Sequence, residues 1–255
     1  MENIKPPETS ELNELLSRYS PIFSEVRKRI FVTLFVFAAA SVAGFVYYEK
    51  IIKIFINILG LRGINIVFTS PFQFINLAIS CGIATGLVIT FPLLIYQILS
   101  FLRPALRVRE FKMIVRFLPF SIFLFLIGFS FGILIMKWQI LLFLSQAEAL
   151  GIGNILDISK LISTVLLVSS LMGIAFQFPI VILLLTRIGI IKLIHLKKQR
   201  LRVYFGSLIF AILLPPDSIL IAFLLALPLA ILFELTLISI RILDRKKVAY
   251  TSPQV

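Results

Sequence analysis

The 255-residue sequence has very few of the side chains on which soluble enzymes and disulfide-rich proteins depend. Cys81 is the only cysteine, which excludes an intramolecular disulfide framework. His195 is the only histidine, which excludes a bis-histidine haem site. Charged residues make up 15% of the chain and apolar residues 60%, against about 25% and about 45–50% in average soluble proteins. Because so few charges cannot solvate a whole surface, the composition predicts an integral membrane protein.

Long uncharged runs predict an all-α fold with six transmembrane helices. A helix needs about 20 apolar residues to cross a hydrocarbon core of about 30 Å. Six segments qualify or nearly qualify: Ile30–Tyr48, 75–99, Phe117–Met136, Leu161–Thr186, Val203–Leu214 and Ile219–Ile240. The fifth segment has only 12 residues, so the fifth and sixth spans are expected to sit in thinned bilayer.

The net charge is +13, and the distribution of the cations along the chain predicts which side of the membrane each connecting segment faces. Of the 25 lysines and arginines, 20 lie in four segments: 1–29, 103–116, 187–202 and 241–255. The positive-inside rule places these segments, and therefore both termini, in the cytoplasm or stroma. The positive charge is therefore explained by the orientation of the chain in the membrane, and no nucleic-acid partner is expected. Anionic membrane lipid is a secondary partner of the cationic segments.

The chain is predicted to form a single membrane domain. Within residues 1–29, apolar residues at helical spacing predict an amphipathic helix on the membrane surface. Residues 30–240 form the six-span region, and 241–255 form a basic tail that is expected to be disordered after Asp244. Ser41-Val42-Ala43 would also fit a processing site, but the apolar run continues to Tyr48, which favours a retained first span.

Glycines in the predicted spans indicate close helix packing. The segment Gly128-Phe129-Ser130-Phe131-Gly132 matches the G-x-S-x-G pattern of serine hydrolases. That pattern requires a strand–turn–helix elbow and a histidine base, whereas this copy lies within a predicted transmembrane helix. Two glycines four residues apart instead let another helix approach closely.

Two polar residues within predicted spans are candidate functional residues. An ionisable side chain such as Glu234 is costly inside a membrane and suggests a function; the alternative is a glutamate that reaches the interface or pairs with a cation. The Gln177 amide requires a hydrogen-bond partner, either on another helix of this chain or on a partner's helix. The sequence predicts no metal site and no cofactor.

Acids are scarce in the cationic segments. Glu110 is the only acid in 103–116, and Glu25 is the only one between the amphipathic segment and the first span. An accessible carboxylate can accept a guanidinium bidentately. It can also simply neutralise neighbouring cations, a contact worth ~0–1 kcal/mol, and the residues by themselves favour this second interpretation.

Short motifs that include these residues follow one another in a recognisable order. They are Glu25-Val26-Arg27-Lys28-Arg29-Ile30, Ser70-Pro71-Phe72, Pro92-Leu93-Leu94-Ile95-Tyr96-Gln97, Phe101-Leu102-Arg103-Pro104-Ala105-Leu106 with Arg109-Glu110, Gly173-Ile174-Ala175-Phe176-Gln177-Phe178-Pro179, Leu214-Pro215-Pro216-Asp217, and Pro228 with Phe233-Glu234. In this order, and with the six-span plan, they resemble the TatC family, the multispanning receptor of the twin-arginine protein translocase. The resemblance covers about residues 20–240.

The resemblance implies a function and site residues. TatC proteins bind precursors whose signal peptides carry paired arginines and help to pass the folded passenger across the membrane. The implied signal-peptide site has Glu25 and Glu110 as arginine acceptors and comprises Glu25, Arg27, Pro104, Leu106 and Glu110. Gln177 and Glu234 would make polar contacts with a partner's helix or the inserted signal, and Pro215-Pro216-Asp217 would form the turn before the last span.

The resemblance also implies partners. These are small single-span Tat subunits of the TatA/TatB type, twin-arginine precursors, membrane lipid and further copies of the chain, with the proton gradient as the energy source. The protein is not expected to be an enzyme. A small-molecule secondary transporter and a membrane assembly factor remain the alternatives, while an intramembrane enzyme is disfavoured by the absence of paired carboxylates or histidine in the spans.

Three positions depart from the family pattern. Ile22 stands where the family usually has histidine, and Phe111 where a basic residue commonly follows the loop glutamate. Gln177 stands where many members have glutamate, so a contact there would be nearly independent of pH. The glutamine and the composition resemble the cyanobacterial and plastid branch, which predicts a thylakoid membrane, with the bacterial plasma membrane as the alternative.

Overall fold

The computed structural model describes residues 8–61, 66–101, 118–151, 156–187, 191, 193–215 and 218–251. These ranges contain nine helices and two short strands. The helices are α1 (Glu8–Val46), α2 (Tyr48–Leu59), α3 (Gln73–Phe101), α4 (Leu118–Ala149), α5 (Ile158–Ala175), α6 (Phe178–Arg187), α7 (Leu193–Lys198), α8 (Arg200–Leu213) and α9 (Ile219–Thr251), and the strands are β1 (Ile66–Val67) and β2 (Leu156–Asp157). The predicted all-α membrane fold is confirmed.

Five helical segments in the described ranges are long and apolar enough to cross a membrane. They are Ser24–Val46, Gln73–Ile98, Leu118–Ala149, Ile158–Thr186 and Ile219–Ile242. The expected short fifth span corresponds to α8, which has 14 residues and is therefore about 21 Å long. Its crossing, and with it the count of six spans, stays a prediction.

Both ends of the described chain are more helical than expected. The amphipathic segment and the first span form the single 39-residue helix α1, which contains Pro21. Across the junction at Arg29, from Ile22 to Ala43, there is neither glycine nor proline to break the helix. The expectation of a disordered tail after Asp244 is wrong for residues 245–251, since α9 continues to Thr251. That stretch contains neither glycine nor proline, so nothing in it breaks the helix.

Glycines bring two antiparallel helix pairs into close contact, of which the glycine spacing predicts the one made by α4. On α4, a Cβ atom added at Gly132 would lie 2.6 Å from Ser169 Cα on α5. On α1, a Cβ atom added at Gly44 would lie 2.6 Å from Thr85 Cβ on α3. Side chains at these positions would force the helices apart, so the glycines set the α4–α5 and α1–α3 spacing.

The fourth expected span is broken in two. Helix α5 ends at Ala175 and α6 begins at Phe178, with a turn at Phe176 and Gln177 between them. The cause is Pro179, which has no N–H to donate and whose ring would clash with the carbonyl of Ala175 in a continuous helix. By contrast, Pro92 and Pro228 lie within α3 and α9 without ending them.

Helix α5 lies at the centre of the fold and α1 at its periphery. In the most apolar stretch of each span, 67% of the residues are buried in α5–α6 but only 6% in α1. Helix α1 contacts mainly α3, which in turn contacts α5. One face of the α1–α3 pair therefore remains accessible.

Two elements at the ends opposite the cationic segments were not expected from the sequence. Helix α2 follows the first span and buries Phe55 and Leu59. Strands β1 and β2 pair in parallel, with Ile66 opposite Leu156 and Val67 opposite Asp157. This pairing connects the segment before α3 to the segment before α5.

Candidate functional site

Arg29 connects α1 to α3 at the end of the bundle predicted to face the cytoplasm, called the inner end below. Its Nη1 donates a hydrogen bond to the backbone carbonyl of Gln97 at 3.0 Å, and its Nη2 donates to the carboxylate of Glu25 one turn earlier on α1. The Thr33 hydroxyl lies 2.5 Å from Gln97 Oε1. Arg29, Thr33 and Gln97 thus hold the two helices together through polar contacts.

Glu25 is the accessible member of this group. Its side chain is 55% exposed, whereas that of Arg29 is 23% exposed. An exposed pair four residues apart on a helix contributes only ~0.3–0.5 kcal/mol, so another cation can replace Arg29 at little cost. Arg27 lies nearby on α1 and is also exposed; its part in the implied site stays a prediction.

The remaining residues of the implied signal-peptide site, Pro104, Leu106 and Glu110, lie outside the described residues. The helices on either side of this segment do belong to the inner end. Helix α3 reaches it at Gln97, which contacts Arg29. The acceptor role of Glu110 stays a prediction.

An apolar groove opens beside Arg29, between α1 and α3. This inner groove has a volume of about 690 Å³ and is lined by Val26, Arg29, Ile30, Thr33, Leu34, Phe37, Leu87, Thr90, Phe91, Leu94, Gln97, Ile98 and Ile174. Its volume lies within the ~300–1,000 Å³ range of ligand sites. Apart from the buried Thr90, its polar residues are Arg29, Thr33 and Gln97, which contact one another at the inner end.

Gln177 is buried and bonded within the chain. It lies at the α5–α6 break, and its Oε1 accepts a hydrogen bond from the Ser121 hydroxyl of α4 at 2.6 Å. Its Nε2 donates to the Ser121 carbonyl at 3.2 Å and to the Gly173 carbonyl at 3.4 Å. The sequence allows the Gln177 amide a hydrogen-bond partner either on another helix of this chain or on a partner's helix, and the structure shows the first.

Glu234 on α9 is part of a polar group with α8. Its Oε1 accepts a hydrogen bond from the Tyr204 hydroxyl, and its Oε2 lies 3.4 Å from Nη2 of Arg200. The Glu234 side chain remains 34% exposed. The carboxylate therefore has a neutralising cation and still has surface available for another contact.

The turn between α8 and α9 is described only at its first residues. Helix α8 ends at Leu213, Leu214 is buried and Pro215 is exposed. Pro216 and Asp217 lie outside the described residues.

Asp157 organises the opposite, outer end of the bundle. Its Oδ2 accepts hydrogen bonds from Thr69 Oγ1 at 2.9 Å and Gln73 Nε2 at 2.7 Å, and its Oδ1 accepts from the backbone N–H of Lys160 at 3.1 Å. The Ser159 hydroxyl donates to the Gln73 carbonyl at 2.9 Å. We call this group the outer clasp: Thr69, Gln73, Asp157, Ser159 and the Lys160 amide.

The outer clasp favours the charged form of its carboxylate. Desolvation raises the pKa of Asp157, but hydrogen bonds from two side chains and two backbone amides outweigh it, so the pKa lies below its ordinary value of 3.8. The carboxylate also caps the first turn of α5.

Several of these residues escaped the sequence-based prediction. Ser121 and Tyr204 are ordinary hydroxyl residues, and each lies far along the chain from its partner. Asp157 carried a signal, since an Asp directly before an apolar run is typical of a helix N-cap. Among the described residues, no three His, Cys, Asp or Glu side chains are grouped so as to hold a metal ion.

Comparisons with known proteins agree with this architecture. The family model described as Sec-independent protein translocase protein (TatC) matches residues 21–228. The TatCy protein of Bacillus subtilis is 30% identical over 230 residues, covering 88% of each chain. The TatC protein of Escherichia coli K12 is 32% identical over 150 residues, covering 59% of this chain and 58% of its own.

Solved structures show the same likeness. A crystal structure of the twin-arginine translocase receptor TatC in DDM matches with a TM-score of 0.76 and 25% identity, over 85% of this chain and 97% of that one. A second crystal structure of the receptor matches with a TM-score of 0.69 and 26% identity, over 85% and 96% of the two chains. The matching fold and the match of the family model to most of the sequence lead to one conclusion: this integral membrane protein belongs to the TatC family.

Proposed function

We propose that this chain is the signal-peptide receptor and core subunit of a twin-arginine translocase, and that it helps to export folded proteins across the membrane. The observation that carries the proposal is the carboxylate of Glu25. It is exposed at the inner end and already accepts a guanidinium, that of Arg29. An arginine of the signal can make the same contact in its place.

The residue types suit an arginine pair. A guanidinium presents a rigid fork of donors that matches a carboxylate, whereas the lysine ammonium is a compact point charge with less geometric specificity. Glu25 would take one arginine and Glu110 the other, with Arg27, Pro104 and Leu106 contributing to the site. The scarcity of other acids in this cationic region supports these two assignments.

The two polar residues at membrane depth have different proposed roles. Glu234 is partly exposed, which supports a polar contact with a partner's helix or the inserted signal. The Gln177 amide is bonded to Ser121, which supports a role in holding α4 against the α5–α6 break. A contact of Gln177 with a partner would have to exchange these bonds.

The proposed assembly follows from family membership. The chain would act with small single-span Tat subunits of the TatA/TatB type, in several copies, and would use the proton gradient. For the membrane, the sequence-based prediction is the thylakoid, with the bacterial plasma membrane as the alternative. The relatives named above are bacterial, which favours the alternative. Fractionation of the source cells would distinguish the two.

A binding measurement tests the receptor function. The Glu25→Gln variant, in membrane vesicles with its partner subunits, should bind a twin-arginine precursor about tenfold more weakly, a loss of 1.4 kcal/mol, because an amide cannot form the charge-assisted bidentate pair. Replacing the arginine pair of the precursor by Lys-Lys should cause a comparable loss in the unmodified protein.

The matched control is Glu49→Gln, which removes one exposed carboxylate at the outer start of α2 and should leave binding within twofold. Equal binding of the Arg-Arg and Lys-Lys precursors would contradict the receptor function. Equal losses in the two glutamate variants would contradict the specific role of Glu25.

A further inference from the structure

Helix α2 at the outer end presents three chemically different sides. Phe55 and Leu59 face the protein core and are buried. A second side is polar and exposed, with Lys53 as an example. A third side carries Ile54 and Ile58, which are 54% and 42% exposed. An apolar side next to a cationic one is typical of a helix that lies at the boundary between lipid and water.

We propose that α2 binds anionic phospholipids of the leaflet at the outer end. The contact surface, called the α2 lipid surface below, consists of Tyr47, Lys50, Lys53, Ile54 and Ile58. The isoleucines lie against the acyl chains, and the lysines hold the headgroup phosphates through charge-assisted hydrogen bonds. The proposal is independent of the receptor function, which concerns the inner end.

Lys50 borders the apolar side of α2. It lies one helical turn before Ile54, and Ile58 follows one turn later, so the three side chains share one flank of the helix. Glu49 is also exposed, but its position five residues before Ile54 turns it about 140° away around the helix. The acyl chains beside the isoleucines are therefore next to a cation, which suits an anionic headgroup.

The position of Lys50 along the chain corresponds to the level of the headgroups. Arg29 lies at the inner end, and only Tyr47 separates α1 from α2. Lys50 follows Arg29 by 21 residues, which is about 31 Å at 1.5 Å per residue. Because the hydrocarbon core is about 30 Å thick, Arg29 and Lys50 can lie at its two boundaries.

Tyr47 supports this depth and positions the lysine. Its ring is exposed directly after the exposed Val46 at the end of α1, and tyrosine is enriched where lipid meets water. The Lys50 ammonium lies 5.1 Å from the centre of the Tyr47 ring. This cation–π contact holds the charge at the aromatic ring, at the border of the apolar surface.

The charges of α2 identify the ligand as anionic. Five lysines and arginines lie outside the four cationic segments, and Lys50 and Lys53 are two of them. Among the described residues, no carboxylate forms an ion pair with either lysine. A second copy of the chain that docked through the same surface would bring lysines against lysines. Lipid phosphates instead supply the missing negative charge.

Fluorescence quenching by brominated lipids tests the proposal. A bimane label on Ile54→Cys, in the full chain with the buried Cys81 replaced by alanine, reports which lipids contact α2 in phosphatidylcholine vesicles. Brominated phosphatidylglycerol should quench the label about twofold more strongly than brominated phosphatidylcholine at the same mole fraction, because lysines near the surface attract anionic lipid.

The matched control is a label on Leu220→Cys. Leu220 lies at the start of α9 and is 58% exposed, and residues 216–224 contain no lysine or arginine. The two brominated lipids should quench this label equally. Equal quenching at Ile54→Cys as well would overturn the headgroup preference. Weak quenching by both lipids at Ile54→Cys alone would show that protein covers α2 and would overturn the lipid surface altogether.

Substitution of the lysines provides a second readout. Lys50→Gln combined with Lys53→Gln should abolish the preference at Ile54→Cys and leave quenching by brominated phosphatidylcholine unchanged. Lys160→Gln, which removes another exposed cation at the outer end, should retain the preference. If the double variant lowers the thermal unfolding midpoint, a salt titration with both lysines present decides, because salt screens exposed charges. A preference that survives both the double substitution and high salt would contradict the role of the lysines.

Discussion

At the outer end of the bundle, the Asp157 carboxylate has its hydrogen bonds supplied by the chain itself, whereas at the inner end Glu25 is exposed and held by one arginine. The outer clasp connects the segments before α3 and α5 through neutral donors on two side chains and a backbone amide. The inner contact is an exposed ion pair within one helix. Asp157, whose hydrogen-bond donors belong to the fold, stabilises the structure. Glu25, whose one cation can be exchanged, is available to a ligand.

This difference predicts that substitution of Asp157 lowers stability and leaves precursor binding unchanged, whereas substitution of Glu25 lowers precursor binding. Asp157→Ala should lower the free energy of unfolding by about 0.5–2 kcal/mol, because the α5 cap is lost and Thr69 and Gln73 lose their acceptor. Precursor binding at the inner end should not change. Thermal unfolding in detergent measures the first effect and vesicle binding the second.

The control for Asp157→Ala is Glu148→Ala, which removes an exposed acid near the same end, on α4. Its effect on unfolding should be within ~0.5 kcal/mol. An equally stable Asp157→Ala variant would show that the strand pairing and helix packing hold the outer end without the clasp.

A smaller effect is expected at the inner end of α8 and α9. Tyr204→Phe removes one hydroxyl that donates to Glu234 and should cost about 0.5–1.5 kcal/mol in unfolding free energy, less than the loss of the outer clasp. Tyr96→Phe on α3, where the ring is exposed, is the matched control and should be neutral. A larger loss for Tyr204→Phe than for Asp157→Ala would reverse the proposed order of the two ends.

The smallest effect concerns pH. Because the pKa of folded Asp157 lies below 3.8, its carboxylate stabilises the fold at pH values well above 3.8, and this contribution is lost as the pH falls through the folded pKa. The clasp should therefore remain intact on a mildly acidified outer side. Unfolding midpoints measured from pH 6 to 3 should fall more steeply for the unmodified protein than for Asp157→Asn. Parallel profiles would contradict the assignment.

The sequence predicted the apolar spans well because the signal is local. Composition and run length locate all five long membrane helices, and glycine spacing anticipates the close approach of α4 and α5. The sequence-based predictions that were wrong or incomplete concern the points at which helices begin, end or break. The helix continues across the junction in α1 and along the tail up to Thr251 where the sequence has neither glycine nor proline, a feature that apolar run length does not report. The break before Pro179 needed the clash with the preceding turn to be considered explicitly.

The candidate site was only partly predictable. Glu25 and Glu234 were conspicuous because acids are rare in and around the spans, and Gln177 because an amide within a span requires a hydrogen-bond partner. Their partners were not, since Ser121 is 56 residues from Gln177 and Tyr204 is 30 residues from Glu234. A serine or tyrosine in a helix has no pattern that identifies a partner so far along the chain.

Composition and residue order were enough to identify a helical membrane protein and the family that it resembles, and they predict which side of the membrane the cationic segments face. These properties depend on the burial of apolar side chains and on the distribution of charge along the chain. Which polar groups are paired and which are available followed from the packing of the helices. It placed Gln97 beside Arg29, closed the outer clasp around Asp157 and opened an apolar groove between α1 and α3. Such contacts arise from the packing of distant helices, which set the distances on which hydrogen bonds and cavities depend.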